Sequence, residues 1–143
     1  MTAGDPAVPL RSTVDVEVRY IETDRMGHVH HANYVAWLEL ARTGLCMRAG
    51  MPYPEIEAMG YLLIVSAVEL RYRLPALYGD VVQVTAWIER LQSRAMRFAY
   101  DVRRGEALLA TGATEHLWVA SDSRRPCRMP EALRAMFERA AGL

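Results

Sequence analysis

A chain of 143 residues is long enough for one domain with a substantial core and too short for two. Apolar residues make up 52% of it, and 17 basic residues balance 17 acidic ones, which excludes a disordered chain and argues against a general nucleic-acid-binding surface. A neutral chain this apolar points to an oligomer. The two cysteines, Cys46 and Cys127, form neither a disulfide framework nor a metal-ligand spacing. They read as free thiols of a reducing cytoplasm.

Met1 to Leu10 has no basic start and no apolar run, so it is not read as a signal peptide. A loose tail is expected through residue 12, with a single domain over residues 13–143. Val14, Val16, Val18 and Tyr20 alternate with Asp15, Glu17 and Arg19, which predicts a half-buried strand. From Asn33 the period becomes helical through Tyr34, Val35, Trp37, Leu38, Ala41 and Leu45, and Gly50 with Pro52 stops it. Nearly every face of this helix carries something apolar, predicting burial on most sides.

A helical turn is expected around Glu55 to Met59, and strands then dominate. The alternation predicts strands over Leu62–Arg73, Val81–Arg90, Met96–Arg103 and Ala107–Ala120, with turns at Gly79-Asp80, Gln92-Ser93 and Arg104-Gly105. Pro130 opens a short terminal helix over Glu131–Ala141. The apolar run Tyr61–Ala67 is too short to cross a membrane. One strand, one long helix and four further strands make an α+β pattern. A five-stranded antiparallel sheet wrapped around the helix buries it most economically.

The segment that carries chemistry is Ile21-Glu22-Thr23-Asp24-Arg25-Met26-Gly27-His28-Val29-His30-His31-Ala32-Asn33-Tyr34. Asp24 follows the first strand, and His31 stands at the helix entrance. A carboxylate beside the free N–H groups of a helix N-terminus is what acyl chemistry requires. A loop aspartate near glycine is also ordinary turn chemistry. His28, His30 and His31 lack a second ligand segment, so a metal site is not expected. Gly27 is expected to permit a tight turn, and Asn33 to cap the helix or make a structural hydrogen bond. Tyr34 and Trp37 are core candidates, either of which could line an acyl pocket.

The motif Thr23-Asp24-x-x-Gly27, followed by His31-x-x-Tyr34, resembles the active-site signature of hotdog-fold acyl-CoA thioesterases. The similarity is to the branch of 4-hydroxybenzoyl-CoA thioesterase and the YbgC-like enzymes. It extends over about residues 13 to 130 and includes Tyr34 to Thr43 and Arg73 to Asp80. Met26, His28 and His30 depart from the smaller or aliphatic residues usual there. The resemblance implies a hotdog fold and hydrolysis of a thioester, with Asp24 as nucleophile or general base. It further implies the His31 N–H as oxyanion donor, no cofactor beyond the coenzyme A of the substrate, and a homodimer or homotetramer with sites at a shared interface.

The His31 side chain is a candidate for orienting Asp24 or water, or merely closes the helix entrance. Glu39 is a weaker alternative for catalysis and otherwise a structural partner of Arg42 or Arg71. Gly27, Asn33 and Tyr34 are the candidate substrate contacts, and Arg125 and Arg128, with Arg124, are candidates for the coenzyme A phosphates. Arg94 and Arg97 are weaker candidates for the same role. Acyl carrier protein is an alternative substrate carrier. The competing functions are a hotdog dehydratase or isomerase, whose His-Phe-Pro style motif is absent, and a non-hydrolytic acyl-CoA binding domain, which has no need of Asp24.

Overall fold

The computed structural model describes residues 8–143. Most of the expected N-terminal tail lies outside the described residues. Within them, Leu10 donates to the Ala140 carbonyl at 2.8 Å, and the first strand opens at residue 12.

Strand β1 (Ser12–Glu17) leads through a 3₁₀ turn over Tyr20–Glu22 and the His-rich loop into helix α1 (Asn33–Arg48). Helix α2 (Tyr53–Ala58) follows, then strands β2 (Tyr61–Tyr72), β3 (Val81–Leu91), β4 (Ala95–Arg104) and β5 (Ala107–Ala120), and last helix α3 (Glu131–Ala140). All pairings are antiparallel, in the order β1-β3-β4-β5-β2. The expected five-stranded sheet over one long helix is therefore present.

The first strand ends earlier than its alternation predicts. Tyr20 enters the 3₁₀ turn and is exposed. The Arg19 N–H is taken by the Glu22 carboxylate at 2.8 Å, so the chain closes into a turn there and leaves the sheet.

Helix α1 packs on β1, β3 and β4. Trp37, Leu38, Ala41, Leu45 and Cys46 are buried with Val82, Val84, Ala86, Phe98 and Tyr100 of the sheet. Leu38 approaches β5 where Gly112 leaves room: a Cβ there would meet Leu38 Cδ1 at 3.2 Å and the Glu69 carbonyl at 3.1 Å. Burial on most sides is not met within one chain. Val35, Leu40 and Met47 of α1 stay exposed, so one face of the helix carries the core contacts.

Among the described residues the sheet ends in two unpaired edges, β1 and β2. The second is twelve residues long and leaves Ile64, Val65, Val68 and Tyr72 more than 40% exposed. A long apolar edge is an open template for another strand. Among the described residues no helix is long and apolar enough to cross a membrane.

Candidate active site

The loop between β1 and α1 is built around two carboxylates. Asp24 Oδ1 accepts the N–H groups of Met26 (2.8 Å) and His28 (3.2 Å). The Asp24 N–H bonds the His28 carbonyl at 2.7 Å, and Thr23 bridges to Val29. These contacts close a tight loop whose turn needs a left-handed residue, and Gly27 supplies it at φ +80°. Oδ2 of Asp24 makes no hydrogen bond among the described residues.

Glu22 ties this loop to the helix. It is 4% exposed, and its carboxylate accepts from Arg19 N–H (2.8 Å) and Trp37 Nε1 (3.0 Å). Its carbonyl accepts from His30 N–H and from Asn33 Nδ2, both at 2.8 Å. Burial alone would raise the Glu22 pKa; the hydrogen bonds outweigh it and hold the carboxyl below its ordinary range. Of the two roles expected for Asn33, the structural hydrogen bond is the one found. The helix N-cap position is Ala32, with no side-chain cap.

At the helix entrance most backbone donors are engaged. The N–H of Ala32 goes to His30 Nδ1 (3.2 Å), that of Asn33 to the His30 carbonyl (3.0 Å), and that of Tyr34 to the His31 carbonyl (3.4 Å). The His31 N–H has no partner among the described residues. The His31 carbonyl is itself held by the Tyr72 hydroxyl at 2.8 Å. The His31 imidazole is exposed, stacked on His30 at a centroid distance of 4.2 Å.

A cavity of about 320 Å³ opens over this arrangement, lined by Asp24, Met26, His28, His31, Tyr34 and Tyr72, among others. Tyr34 thus both packs in the core and lines the cavity, with its hydroxyl accepting the Ala76 N–H at 3.4 Å. Burial pushes the phenols of Tyr34 and Tyr72 up, so both stay protonated. The structure brings Asp24, His31 and Tyr34 to one cavity; Gly27 and Asn33, expected as substrate contacts, do not line it, because Gly27 is taken up by the turn and the Asn33 side chain by the Glu22 carbonyl.

Arg125 and Arg128 are not brought there. They are exposed, in the loop after β5, at the Tyr61 end of the sheet but across β5 from β2: Pro126 bridges to Val119, and the Met129 N–H donates to the Ser93 carbonyl. The cavity adjoins the other end of β2 at Tyr72, and a twelve-residue strand spans roughly 36 Å. Arg97 is also far from any phosphate role: it is spent on Glu69, Glu89 and Glu115 at 2.9 to 3.3 Å. Glu39 is exposed and forms no ion pair among the described residues, so the expected pairing with Arg42 or Arg71 is absent.

Two contributors escaped the sequence. Nothing local announces that Glu22 will be buried, because its donors come from Arg19 and from Trp37, fifteen residues on. Tyr72 is legible as one face of a strand, but its partner is His31, at a separation of 41 residues.

Comparison with known proteins shows the family and the fold. The family described as the thioesterase-like superfamily matches residues 18–137. A putative acyl-CoA thioesterase of Bacillus subtilis, YneP, is 35% identical over 122 residues, covering 85% of this chain and 88% of that protein. A solved structure from Thermus thermophilus, hypothetical protein TT1821, has a TM-score of 0.85 at 42% identity and covers 89% of this chain and 97% of its own. The DHNA-CoA thioesterase of Staphylococcus aureus has a TM-score of 0.84 at 28% identity, covering 91% and 88%. With the loop carboxylate, the helix entrance and the sheet order in place, the chain belongs to the thioesterase-like superfamily and has its hotdog fold.

Proposed function

We propose that the protein hydrolyses an acyl-CoA thioester to a carboxylic acid and free coenzyme A at the Asp24 cavity. The observation that carries this is that one cavity is lined by both Asp24, whose Oδ2 has no partner among the described residues, and His31, whose N–H has none among them. The names of the relatives in Bacillus subtilis and Staphylococcus aureus support the same class of reaction.

In this mechanism the thioester carbonyl oxygen sits on the His31 N–H. The helix N-terminus lends that donor a partial positive charge, and it stabilises the oxyanion as the carbonyl carbon becomes tetrahedral. Because Tyr72 and Glu22 fix the segment around it, the donor needs no reorganisation during the reaction. Asp24 Oδ2 acts from the other side. As general base it takes a proton from water, whose oxygen bonds to the carbonyl carbon; the C–S bond then breaks and the thiolate receives the proton. As nucleophile, Oδ2 itself forms the new C–O bond and expels the thiolate, and water then cleaves the anhydride. The bonds to Met26 and His28 aim the carboxylate in either route. No cofactor beyond the coenzyme A of the substrate takes part.

The functional unit is a pair of chains joined along β2. Antiparallel pairing over the whole strand sets Tyr61 of the second copy beside Tyr72 of the first. That brings the end of the second copy's sheet that carries Arg125 and Arg128 toward the first copy's cavity, and we assign these two arginines to the coenzyme A phosphates. The free thiols Cys46 and Cys127 fit a reducing cytoplasm.

The test is thiol release from a panel of aryl- and alkyl-CoA thioesters by wild type and Asp24→Asn. Asparagine keeps the Oδ1 acceptor for Met26 and His28 while removing the charge. A loss of about a thousandfold in a folded variant is expected. Equal rates would overturn the assignment of Asp24.

A further inference from the structure

A second cavity, of about 350 Å³, lies at the other end of β2 between α1 and α2. Its lining includes Arg42, Tyr53, Ile56, Leu63 and Arg124. Arg42 is 7% exposed. Its Nε donates to the Tyr53 hydroxyl at 2.9 Å and its Nη1 to the Tyr100 hydroxyl at 3.2 Å. Nη2 makes no hydrogen bond among the described residues, and no carboxylate pairs with Arg42 there. Burial keeps both phenols protonated, so they satisfy two donors without neutralising the charge.

A buried guanidinium almost always meets an anion, because an uncompensated charge away from water is costly. Here Nε and Nη1 are engaged by neutral phenols, and Nη2 is the guanidinium nitrogen left to meet an anion at the cavity. Glu39 and Glu57 line the same cavity, but both are exposed and neither pairs with Arg42.

We infer that this cavity receives the far end of the acyl group, and that Arg42 binds a carboxylate there. The substrate class is a mono-thioester of a dicarboxylic acid, with Ile56 and Leu63 against its apolar body. This rests on the thioesterase reading and on the β2 pairing, which sets the Arg42 cavity of the second copy beside the Asp24 cavity of the first. Within one chain the two lie at opposite ends of the strand.

The experiment compares adipyl-CoA with hexanoyl-CoA, equal in length and differing in a terminal carboxylate or methyl. Wild type is expected to favour adipyl-CoA in kcat/KM by about tenfold or more, the worth of a charged hydrogen bond. Arg42→Gln is expected to bring the ratio close to one, and Arg42→Lys, which keeps charge without the fork, to fall between. A merely structural Arg42 would lower both rates together and keep their ratio, which overturns the inference. So does a wild-type preference for hexanoyl-CoA, and that comparison decides alone if Arg42→Gln does not fold. If neither thioester is hydrolysed, the aryl- and alkyl-CoA panel decides the thioesterase reading separately. Calorimetric binding of the two to wild type then decides: tighter adipyl-CoA supports the Arg42 contact, and equal binding removes it.

Discussion

At the scale of single residues, Glu22 ties the loop that carries Asp24 to the helix entrance. Its carboxylate and carbonyl together take four donors, from Arg19, Trp37, His30 and Asn33. Glu22→Gln would set an amide N–H against donors that need an acceptor, at a cost of about 2 kcal/mol. Because hydrogen bonds hold the folded-state pKa below 4.5, Glu22 contributes its stability above that value. It loses that contribution as pH falls through the lower folded value. Urea unfolding at neutral pH and near the folded pKa should therefore show the wild-type advantage over Glu22→Gln shrinking in acid. Tyr72→Phe removes only the hydroxyl that holds the His31 carbonyl at 2.8 Å. A fall of about tenfold in kcat with little change in Tm is expected if that bond orients the N–H donor. The sequence marked Asp24, Gly27, His31 and Tyr34 because their types and spacing are local. It concealed Glu22 and Tyr72 because what makes them matter is who meets them after folding.

At the scale of elements, periodicity was legible wherever one neighbour decides the matter. The four later strands, α1 and α3 lie where alternation and punctuation place them, within a residue or two. The end of β1 was not, since the Glu22 carboxylate captures a backbone donor that alternation alone would have left to the sheet. The seam between α1 and the sheet was hidden too. Arg42, Tyr100, Thr114 and His116 form a buried polar chain there, with Tyr100 to Thr114 at 2.6 Å and Thr114 to His116 Nε2 at 2.8 Å. Burial, helped by Arg42, pushes His116 down to about 4 from 6.5. A depressed histidine favours the folded state fully above 6.5 and loses that contribution as pH falls to the folded value. The difference amounts to about 3 kcal/mol. Wild-type stability should thus drop between pH 6.5 and 4, a window above the one in which Glu22 acts. In His116→Gln the drop across that window should be largely absent. A wild-type slope unchanged by the substitution would remove His116 as its cause.

At the scale of the whole molecule, the residues proposed to share one site lie apart in a single chain. Asp24 and the His31 N–H lie at the Tyr72 end of β2, while Arg42 and the arginine loop after β5 lie at the Tyr61 end. An edge strand bearing exposed Ile64, Val65 and Val68 brings these ends together if it pairs with its own copy. A two-fold pair places the same strand on both sides, so one change acts twice. When β2 pairs about its midpoint, residue 68 of one copy stands opposite residue 65 of the other. Val65→Lys with Val68→Lys therefore puts like charges face to face at both positions, where edges are known to be blocked by lysine. Both side chains are exposed in the single chain, so the variant should keep its fold by circular dichroism. Light scattering should report a monomer where wild type reports a dimer or tetramer. Thiol release should fall about a hundredfold, because the arginine loop proposed for the phosphates and the second cavity leave with the other copy. A folded monomer that keeps full activity would mean that one chain carries the whole site, and the shared-site reading would be lost while Asp24 kept its role.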